Sequence, residues 1–310
     1  MGAVRSVARR LRERGSAAAL RGLGVGRGSG AYDDAPSAGT LARLAALRLQ
    51  NLGSRRPVTG SGDAVVIMTT IAPRIMLVWA ALESIAAGSV RPRRLILTLD
   101  DPGIAELPTS LQRLQRRGLE IRRVEPGLGV HTKWWPYVEG EPQHRLPAVT
   151  SDDDQLYPRA WLAELLSAAA RHPDAVIAHR AHRIRVDGGR IAPYVDWRRA
   201  TSPEPSFASF GTSVSGQLLP VTLLESLRER GTAFLELAPR ADDVWLHGSA
   251  VRAGIRIAQA SPVSRDFAFV PGTQTSGLYV DNVLGAGNDR QLAAVLGPEE
   301  LERIADDARH

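Results

Sequence analysis

The chain has 310 residues, of which 44% are hydrophobic and 23% are charged, enough for one large domain with an additional segment. It contains no cysteine, which excludes disulfides and cysteine-based metal or nucleophile sites. The net charge is +6. Arginine carries nearly all of the positive charge, and Lys133 is the only lysine. The sequence has neither a zinc-finger spacing nor a basic strip interleaved with aromatic residues, so we expect no nucleic-acid partner. No apolar run reaches the roughly 20 residues of a membrane span, and no secretory signal is visible, so we expect a cytoplasmic protein.

Residues 1–60 differ in composition from the rest and are predicted to form a basic N-terminal arm. A first amphipathic helix, with arginines around its apolar face, is predicted within residues 4–22. Residues 22–39 are glycine-rich, and residues 40–53 predict a second amphipathic helix. Two interpretations stay open: a helix that contacts a membrane surface through residues 1–50, at the inner face, or a poorly ordered tail with helical bias.

Short β-branched runs alternate with helical patterns through residues 61–270, the predicted main domain, and residues 271–310 are predicted to form a C-terminal loop and helical tail. Strands are predicted at 64–70, 93–100, 119–125, 145–154, 174–184, 216–221 and 255–260. Helices are predicted at 73–88, 106–118, 157–173, 221–231 and 242–254, with a hairpin turn at 187–189. This alternation predicts an α/β fold with a mostly parallel sheet and helices on both faces. Such a sheet binds its ligand at the carboxyl ends of its strands.

Three aspartates, Asp152, Asp153 and Asp154, follow the predicted strand at 145–154. If the segment is extended, Asp152 and Asp154 project to one side and Asp153 to the other. Neighbouring carboxylates resist joint ionisation unless a cation compensates them, and Mg²⁺ or Mn²⁺ with phosphate oxygens is a usual compensation. One or two acids would be explained as charge at the start of the next helix, but three exceed that need.

A second set of candidate residues lies on both sides of this stretch in the chain. Lys133 stands beside Trp134 and Trp135, where it could be a surface side chain or the charge that meets a diphosphate. Asp242 and Asp243 begin a predicted helix, either as favourable helix-start charges or as a general base. The same helix carries Trp245 and, one turn after Asp243, His247, which could ligate metal but more simply bonds a carboxylate. Gly211 and Gly216 bracket a polar loop, which either approaches a ligand closely or forms a turn.

In this order, the stretches VVIMTTIAPR, TSDDDQLYP, GTSVSGQLLP and ADDVWL resemble the GT-A class of nucleotide-sugar glycosyltransferases. The resemblance covers roughly residues 64–260 and is greatest to bacterial enzymes that act on capsular or cell-envelope glycans. The triple aspartate matches that class's Asp-x-Asp motif, and DDVWL looks like its Glu-Asp-Val motif. The resemblance implies a Rossmann-like GT-A fold, a nucleoside-diphosphate-sugar donor with UDP favoured, and a glycan or lipid-linked acceptor.

The resemblance also implies residue roles. The donor nucleotide and diphosphate would contact Thr69, Thr70, Arg74, Asp100, Lys133, Asp152 and Asp153. Asp154, with Asp152, would hold Mn²⁺ or Mg²⁺. Asp243 would be the base of an inverting transfer, with Asp242 in the position usually held by glutamate. The acceptor and sugar pocket would include Trp134, Trp135, Gly211, Gly216, Trp245 and His247. Many members have a downstream histidine as a third metal ligand, and no histidine here is well placed for that role. Two alternatives stay open: coordination by Asp154 with phosphate and water, or a contribution from Asp266.

Two other functions compete with this interpretation. A sugar-1-phosphate nucleotidyltransferase would have a similar sheet, but it normally carries a glycine-rich loop after the first strand, and TTIAPRIM contains no glycine. A non-catalytic membrane-surface adaptor would use the basic arm, but it would leave the clustered acids unexplained.

Overall fold

A computed structural model describes residues 36–274 and 286–309, so the predicted helix within residues 4–22 lies outside the described residues. The strands are β1 (Gly62–Thr69), β2 (Pro92–Leu99), β3 (Leu119–Arg123), β4 (Ala148–Ser151), β5 (Val176–Ala178), β6 (Ala181–Arg183), β7 (Val186–Asp187), β8 (Arg190–Ile191), β9 (Arg198–Arg199), β10 (Ser209–Gly211), β11 (Gln217–Leu219) and β12 (Ile257–Gln259). The helices are α1 (Ala38–Gly53), α2 (Trp79–Ala86), α3 (Thr109–Gln115), α4 (Trp135–Gly140), α5 (Trp161–Arg171), α6 (Val221–Arg230), α7 (Phe234–Leu237), α8 (Asp242–Arg252), α9 (Gly287–Val295) and α10 (Pro298–Ala308). Short 3₁₀ turns cover Ala72–Arg74, Gly129–Lys133 and Tyr194–Asp196.

The described residues form a central seven-stranded sheet with the order β12-β5-β11-β4-β1-β2-β3. Its neighbouring strands are parallel, except that β11 runs antiparallel to both β4 and β5. The predicted mostly parallel α/β sheet is therefore confirmed. The chain leaves β1 on one side to form β2 and β3, and it returns to the other side of β1 to form β4. The carboxyl ends of β1 and β4 thus flank a topological switch point, where open α/β sheets bind ligands.

Alternate residues of β1 face two separate hydrophobic cores. Val65 and Ile67 pack into one core with side chains of α4, α6, α8, α9 and α10, whereas Val66 and Met68 pack into the other with α2, α3 and α5. This period of two places helices on both faces of the sheet, as predicted. The helices of the predicted C-terminal tail belong to the first core, where Ile304 of α10 is fully buried.

The smaller sheets lie beside the central one. Three antiparallel strands have the order β10-β6-β9, and β7 pairs with β8 as a hairpin. The hairpin turn uses Gly188 and Gly189, with φ of 57° and 77°. Positive φ at both central residues suits a tight two-residue hairpin, and glycine adopts it without steric strain. The predicted turn at 187–189 is confirmed.

Helix α1 falls in the predicted arm, yet it packs on the main domain through a buried polar network. Its Gln50 and Asn51 donate hydrogen bonds of 2.6 and 2.9 Å to the Glu83 carboxylate on α2. The same carboxylate pairs with Arg117 at 2.5 Å, and both side chains are buried. None of the helices within residues 36–274 and 286–309 has the length and apolar character to span a bilayer.

We expect Arg117→Met to lower the free energy of unfolding by about 3–5 kcal/mol, because it leaves Glu83 buried without its charged partner. Urea denaturation followed by circular dichroism measures the change. The matched control is Arg93→Met, whose ion pair with Asp63 is exposed and should contribute at most about 1 kcal/mol. Equal losses in the two variants would contradict this account of the network.

Candidate active site

The triple aspartate lies at the switch point, immediately after β4 and beside the end of β1. Strand β4 ends at Ser151, and the three acids enter a turn rather than an extended segment. Asp153 faces the end of β1, where its Oδ2 accepts a hydrogen bond of 2.5 Å from Thr70 Oγ1. The two strands therefore bring Thr70 and the aspartates together, as the fold predicted.

Arg74 contacts two of the three carboxylates. Its Nη1 lies 2.8 Å from Oδ1 of Asp153 and 3.2 Å from Oδ2 of Asp154. The predicted alternation, with Asp153 opposite its neighbours, is therefore wrong, because the turn places Asp153 and Asp154 on one guanidinium. The third carboxylate, that of Asp152, instead pairs with Lys133.

Asp154 carries the least compensated charge of the three. Burial raises its pKa to about 7, and the negative charges of Asp152 and Asp153 add to the rise. Arg74 and a 3.0 Å hydrogen bond from Gln274 Nε2 offset only part of this effect. A cation beside such a carboxyl would stabilise its ionised form.

Lys133 joins the triple aspartate to the second pair of acids. Its Nζ lies 2.7 Å from Oδ1 of Asp152 and 3.0 Å from Oδ2 of Asp242. Burial alone would lower the pKa of Lys133, but the charges of these carboxylates outweigh it and raise the pKa above its ordinary value. The only lysine of the chain is therefore a fixed positive charge between the two acidic groups.

Asp242 and Asp243 open α8 and bond the loop between β10 and β11. Asp242 Oδ2 accepts from Ser213 Oγ at 3.0 Å. Asp243 Oδ1 accepts from the Ser213 backbone nitrogen at 2.6 Å and from Gln217 Nε2 at 3.3 Å. The polar loop thus orients both carboxylates.

The environment separates the pKa values of these two neighbours. Burial would raise the pKa of Asp242, but the charge of Lys133 outweighs it and lowers the pKa below its ordinary value. Burial also raises the pKa of Asp243 to about 7, and the charge of Asp242 adds to this. Two adjacent carboxyls with divergent pKa values are typical of a site in which one of them exchanges protons near neutral pH. Asp243 is the member of this pair with the raised pKa.

Two further predicted donor residues lie at the same edge of the sheet. Thr69 ends β1, and its Oγ1 donates a 2.9 Å hydrogen bond to the carbonyl of Thr98 on β2. Asp100 follows β2 and accepts a 2.6 Å hydrogen bond from Thr132 Oγ1. All predicted donor residues therefore lie at the carboxyl ends of β1, β2 and β4 or in the turns that face them.

The structure does not place the predicted tryptophans in a pocket. Trp134, Trp135 and Trp245 are 0%, 4% and 0% exposed. Their rings surround Phe234, with centroid separations of 5.2, 5.4 and 6.0 Å. They form an aromatic core with Phe234, because burying large apolar rings away from water is favourable.

His247 is also a core residue, not a ligand or a partner of a carboxylate. Its ring lies 5.0 Å from that of Phe210, and neither ring nitrogen has a hydrogen-bond partner among the described residues. Burial lowers its pKa to about 3, so the ring is neutral. Although His247 lies one turn after Asp243, helical spacing alone did not reveal that its ring points inward.

Gly211 and Gly216 are required for internal packing. A Cβ on Gly211 would lie 2.8 Å from Gln217 Oε1. Gly216 has φ of 98°, and a Cβ there would lie 2.8 Å from the Trp161 ring. The two glycines therefore approach other protein atoms closely, rather than a ligand. The loop between them does contact Asp242 and Asp243 through Ser213.

The donor set fits a divalent cation that shares its coordination with a ligand. No group of three histidine or acidic side chains in residues 36–274 and 286–309 could hold a metal alone. Carboxylates of Asp154 and Asp152, with phosphate oxygens, are nevertheless a donor set that Mg²⁺ and Mn²⁺ accept. Asp266 does not join them, because it pairs with Arg180 at 3.4 Å and with Arg199 at 2.5 Å.

The side chains that bond the two groups of acids include Ser213, Gln217 and Gln274, which were not predicted. The first two lie within GTSVSGQLLP, but a polar loop does not indicate which of its side chains will bond an acid. Gln274 lies 120 residues from Asp154 in the chain, and no pattern in its own surroundings marks it.

Comparison with known proteins returned no matching family model and no similar curated protein. Among solved structures, the chain is similar to the mannosyltransferase PcManGT from Pyrobaculum calidifontis in complex with GDP-Man and Mn²⁺, with 16% identity, a TM-score of 0.49, and coverage of 86% of this chain and 80% of that one. It is also similar to S. aureus TarS 1–349 in complex with UDP-GlcNAc, with 14% identity, a TM-score of 0.47, and coverage of 79% and 71%. Similarity of this size does not by itself establish a function, so the residues of the site must carry it.

Proposed function

We propose that the chain is a metal-dependent glycosyltransferase that moves a sugar from a nucleoside-diphosphate sugar to a hydroxyl group of a glycan or lipid-linked acceptor. The proposal rests on two groups of acids that Lys133 joins at the switch point of the sheet. The first group is the triple aspartate at 152–154, and the second is Asp242 with Asp243. One group is suited to hold a cation and a diphosphate. The other contains Asp243, whose pKa burial raises to about 7, a value that suits a general base near neutral pH.

The first group would bind the donor. Asp154 and Asp152 would hold Mn²⁺ or Mg²⁺, and the cation, when bound, would stabilise the departing diphosphate as a Lewis acid. Arg74, which already bridges two carboxylates, and Lys133 would add positive charge toward the phosphates. Fixed charges of this kind stabilise the transition state without reorganisation. The nucleoside would lie along Thr69, Thr70 and Asp100.

The second group would act on the acceptor. An acceptor hydroxyl would attack the anomeric carbon of the donor sugar as the bond from that carbon to the diphosphate breaks. Asp243 would take the hydroxyl proton, and the nucleoside diphosphate would leave with the bonding electrons. A single displacement of this kind inverts the anomeric configuration. Lys133 would keep Asp242 ionised, so Asp242 would not itself accept the proton. Its negative charge would help to keep the pKa of Asp243 near 7.

Product analysis separates this proposal from its competitors. The full chain would be incubated with a panel of UDP- and GDP-sugars and Mn²⁺, and in parallel with nucleoside triphosphates and sugar 1-phosphates. Release of nucleoside diphosphate from the first set supports the proposal. Release of pyrophosphate from the second set would indicate a nucleotidyltransferase, and absence of both products would favour a non-catalytic protein.

The transfer rate should depend on pH through Asp243. The rate should rise as pH increases through about 7, because Asp243 accepts a proton only when it is ionised. Asp242→Asn removes the adjacent negative charge and should therefore shift this rise to lower pH. The measurement is kcat/KM against pH for both proteins. A rise at the same pH in the variant would contradict the coupling between the two carboxyls.

A further inference from the structure

Helix α1 has its polar side chains directed into the protein. Gln50 and Asn51 bond the buried Glu83 carboxylate. Arg43 donates to the carbonyls of Leu156, at 3.3 Å, and of Tyr157. Leu44 and Leu47 face the domain as well, where the buried Leu47 packs with Ala80, Leu156 and Val270. The inner face of α1 is therefore held by both hydrogen bonds and apolar contacts.

The outer face of α1 is apolar. Leu41, Leu49 and Leu52 are 51%, 71% and 54% exposed, at helical spacings that put them on one side. The other exposed positions between them are alanines, together with Arg48, which lies 5.2 Å from the centre of the Trp79 ring. Single exposed leucines need no explanation, but three along one helix face form a patch that is typical of a contact surface.

The sequence on both sides of this helix is basic. Residues 1–35 contain seven arginines and three acidic residues, and Arg55 and Arg56 follow the helix as exposed residues. An apolar protein face would gain little from so many arginines, whereas an anionic lipid surface attracts each of them. Exposed apolar area together with adjacent basic charge is the combination that holds a helix in the interface of a membrane.

We propose that the outer face of α1 docks on an anionic lipid bilayer, together with the exposed Arg55 and Arg56 that follow the helix. The leucines would enter the boundary between headgroups and acyl chains, and the arginines would neutralise the headgroup charge. The docking does not depend on the chemistry of the active site.

Co-sedimentation of the full chain with vesicles tests the proposal. The chain should bind vesicles of phosphatidylglycerol and phosphatidylcholine, and binding should weaken with added NaCl and on vesicles of phosphatidylcholine alone. The variant Leu49→Ser with Leu52→Ser should bind at least about tenfold more weakly, because less apolar area enters the membrane. Both leucines are exposed, so the variant should keep the circular dichroism spectrum and unfolding midpoint of the parent.

Val263→Ser is the matched control, since Val263 is 71% exposed outside α1. It should bind vesicles as the parent does. Equal binding by the double variant and the parent, or no binding of the parent to anionic vesicles, would overturn the proposal. So would two other outcomes of the double substitution: conversion of a dimer to a monomer, which assigns the face to a second copy, or a large loss of stability, which assigns it to the chain's own N-terminal residues.

Discussion

Replacement of Asp243 by asparagine should lower the rate of sugar transfer by about 10²–10⁴-fold, the usual contribution of a general base. Asparagine has nearly the same shape and can still accept the hydrogen bond from the Ser213 backbone nitrogen. It cannot take a proton from the acceptor. Binding of the donor, which depends on the other acidic group, should therefore persist. Transfer rates and calorimetric titration with a nucleoside-diphosphate sugar measure the two effects separately.

The control for this variant is Asp63→Asn, which neutralises an exposed carboxylate that pairs with Arg93 on the surface. It should leave both transfer and binding unchanged. If Asp243→Asn keeps near-normal turnover, Asp243 is not the base, and Asp242 becomes the next candidate. If the variant loses donor binding as well, the two acidic groups do not have separate tasks.

Replacement of Asp154 by asparagine should weaken metal-dependent binding of the donor by at least about 100-fold. Groups that only orient a metal ligand contribute about 10–100-fold to metal affinity, so a direct ligand should contribute at least as much. The substitution also removes the carboxyl whose pKa burial and its acidic neighbours raise to about 7. Titration of the nucleoside diphosphate with and without Mn²⁺ measures the effect.

Asp266→Asn is the control for the metal site, because Asp266 was the other predicted ligand and instead pairs with Arg180 and Arg199. We expect unchanged metal-dependent binding in this variant. Loss of metal dependence in Asp266→Asn but not in Asp154→Asn would assign the cation to Asp266 instead. Equal metal dependence in Asp154→Asn and the parent would refute the assigned role.

Sequence reasoning was most successful where it relied on chain direction and strand ends. Because parallel strands end at one edge of a sheet, a strand prediction for 145–154 was enough to bring the triple aspartate near the residues that follow β1. The two groups of acids were also predicted, but their connection through Lys133 was not. That contact joins residues 109 positions apart, a separation over which local patterns carry no information.

The errors have a different physical origin. Trp134, Trp135 and Trp245 could cover a sugar only if they were exposed, and exposure depends on Phe234, whose contact with them no local pattern reveals. The alternation assigned to the three aspartates failed because the chain turns after Ser151. Likewise, the amphipathic pattern at 40–53 predicted the helix, but it did not reveal that Gln50 and Asn51 bond Glu83, which lies more than 30 residues away in the chain.

The central claim is a single displacement in which Asp243 takes the acceptor proton while the diphosphate leaves the opposite face of the sugar. NMR of the product formed from a donor of known anomeric configuration tests it most directly, because the coupling constant of the anomeric proton reports the configuration after transfer. The account predicts inversion, with product formation slowed by about 10²–10⁴-fold when Asp243→Asn replaces the parent. Retention of the donor's configuration would contradict it.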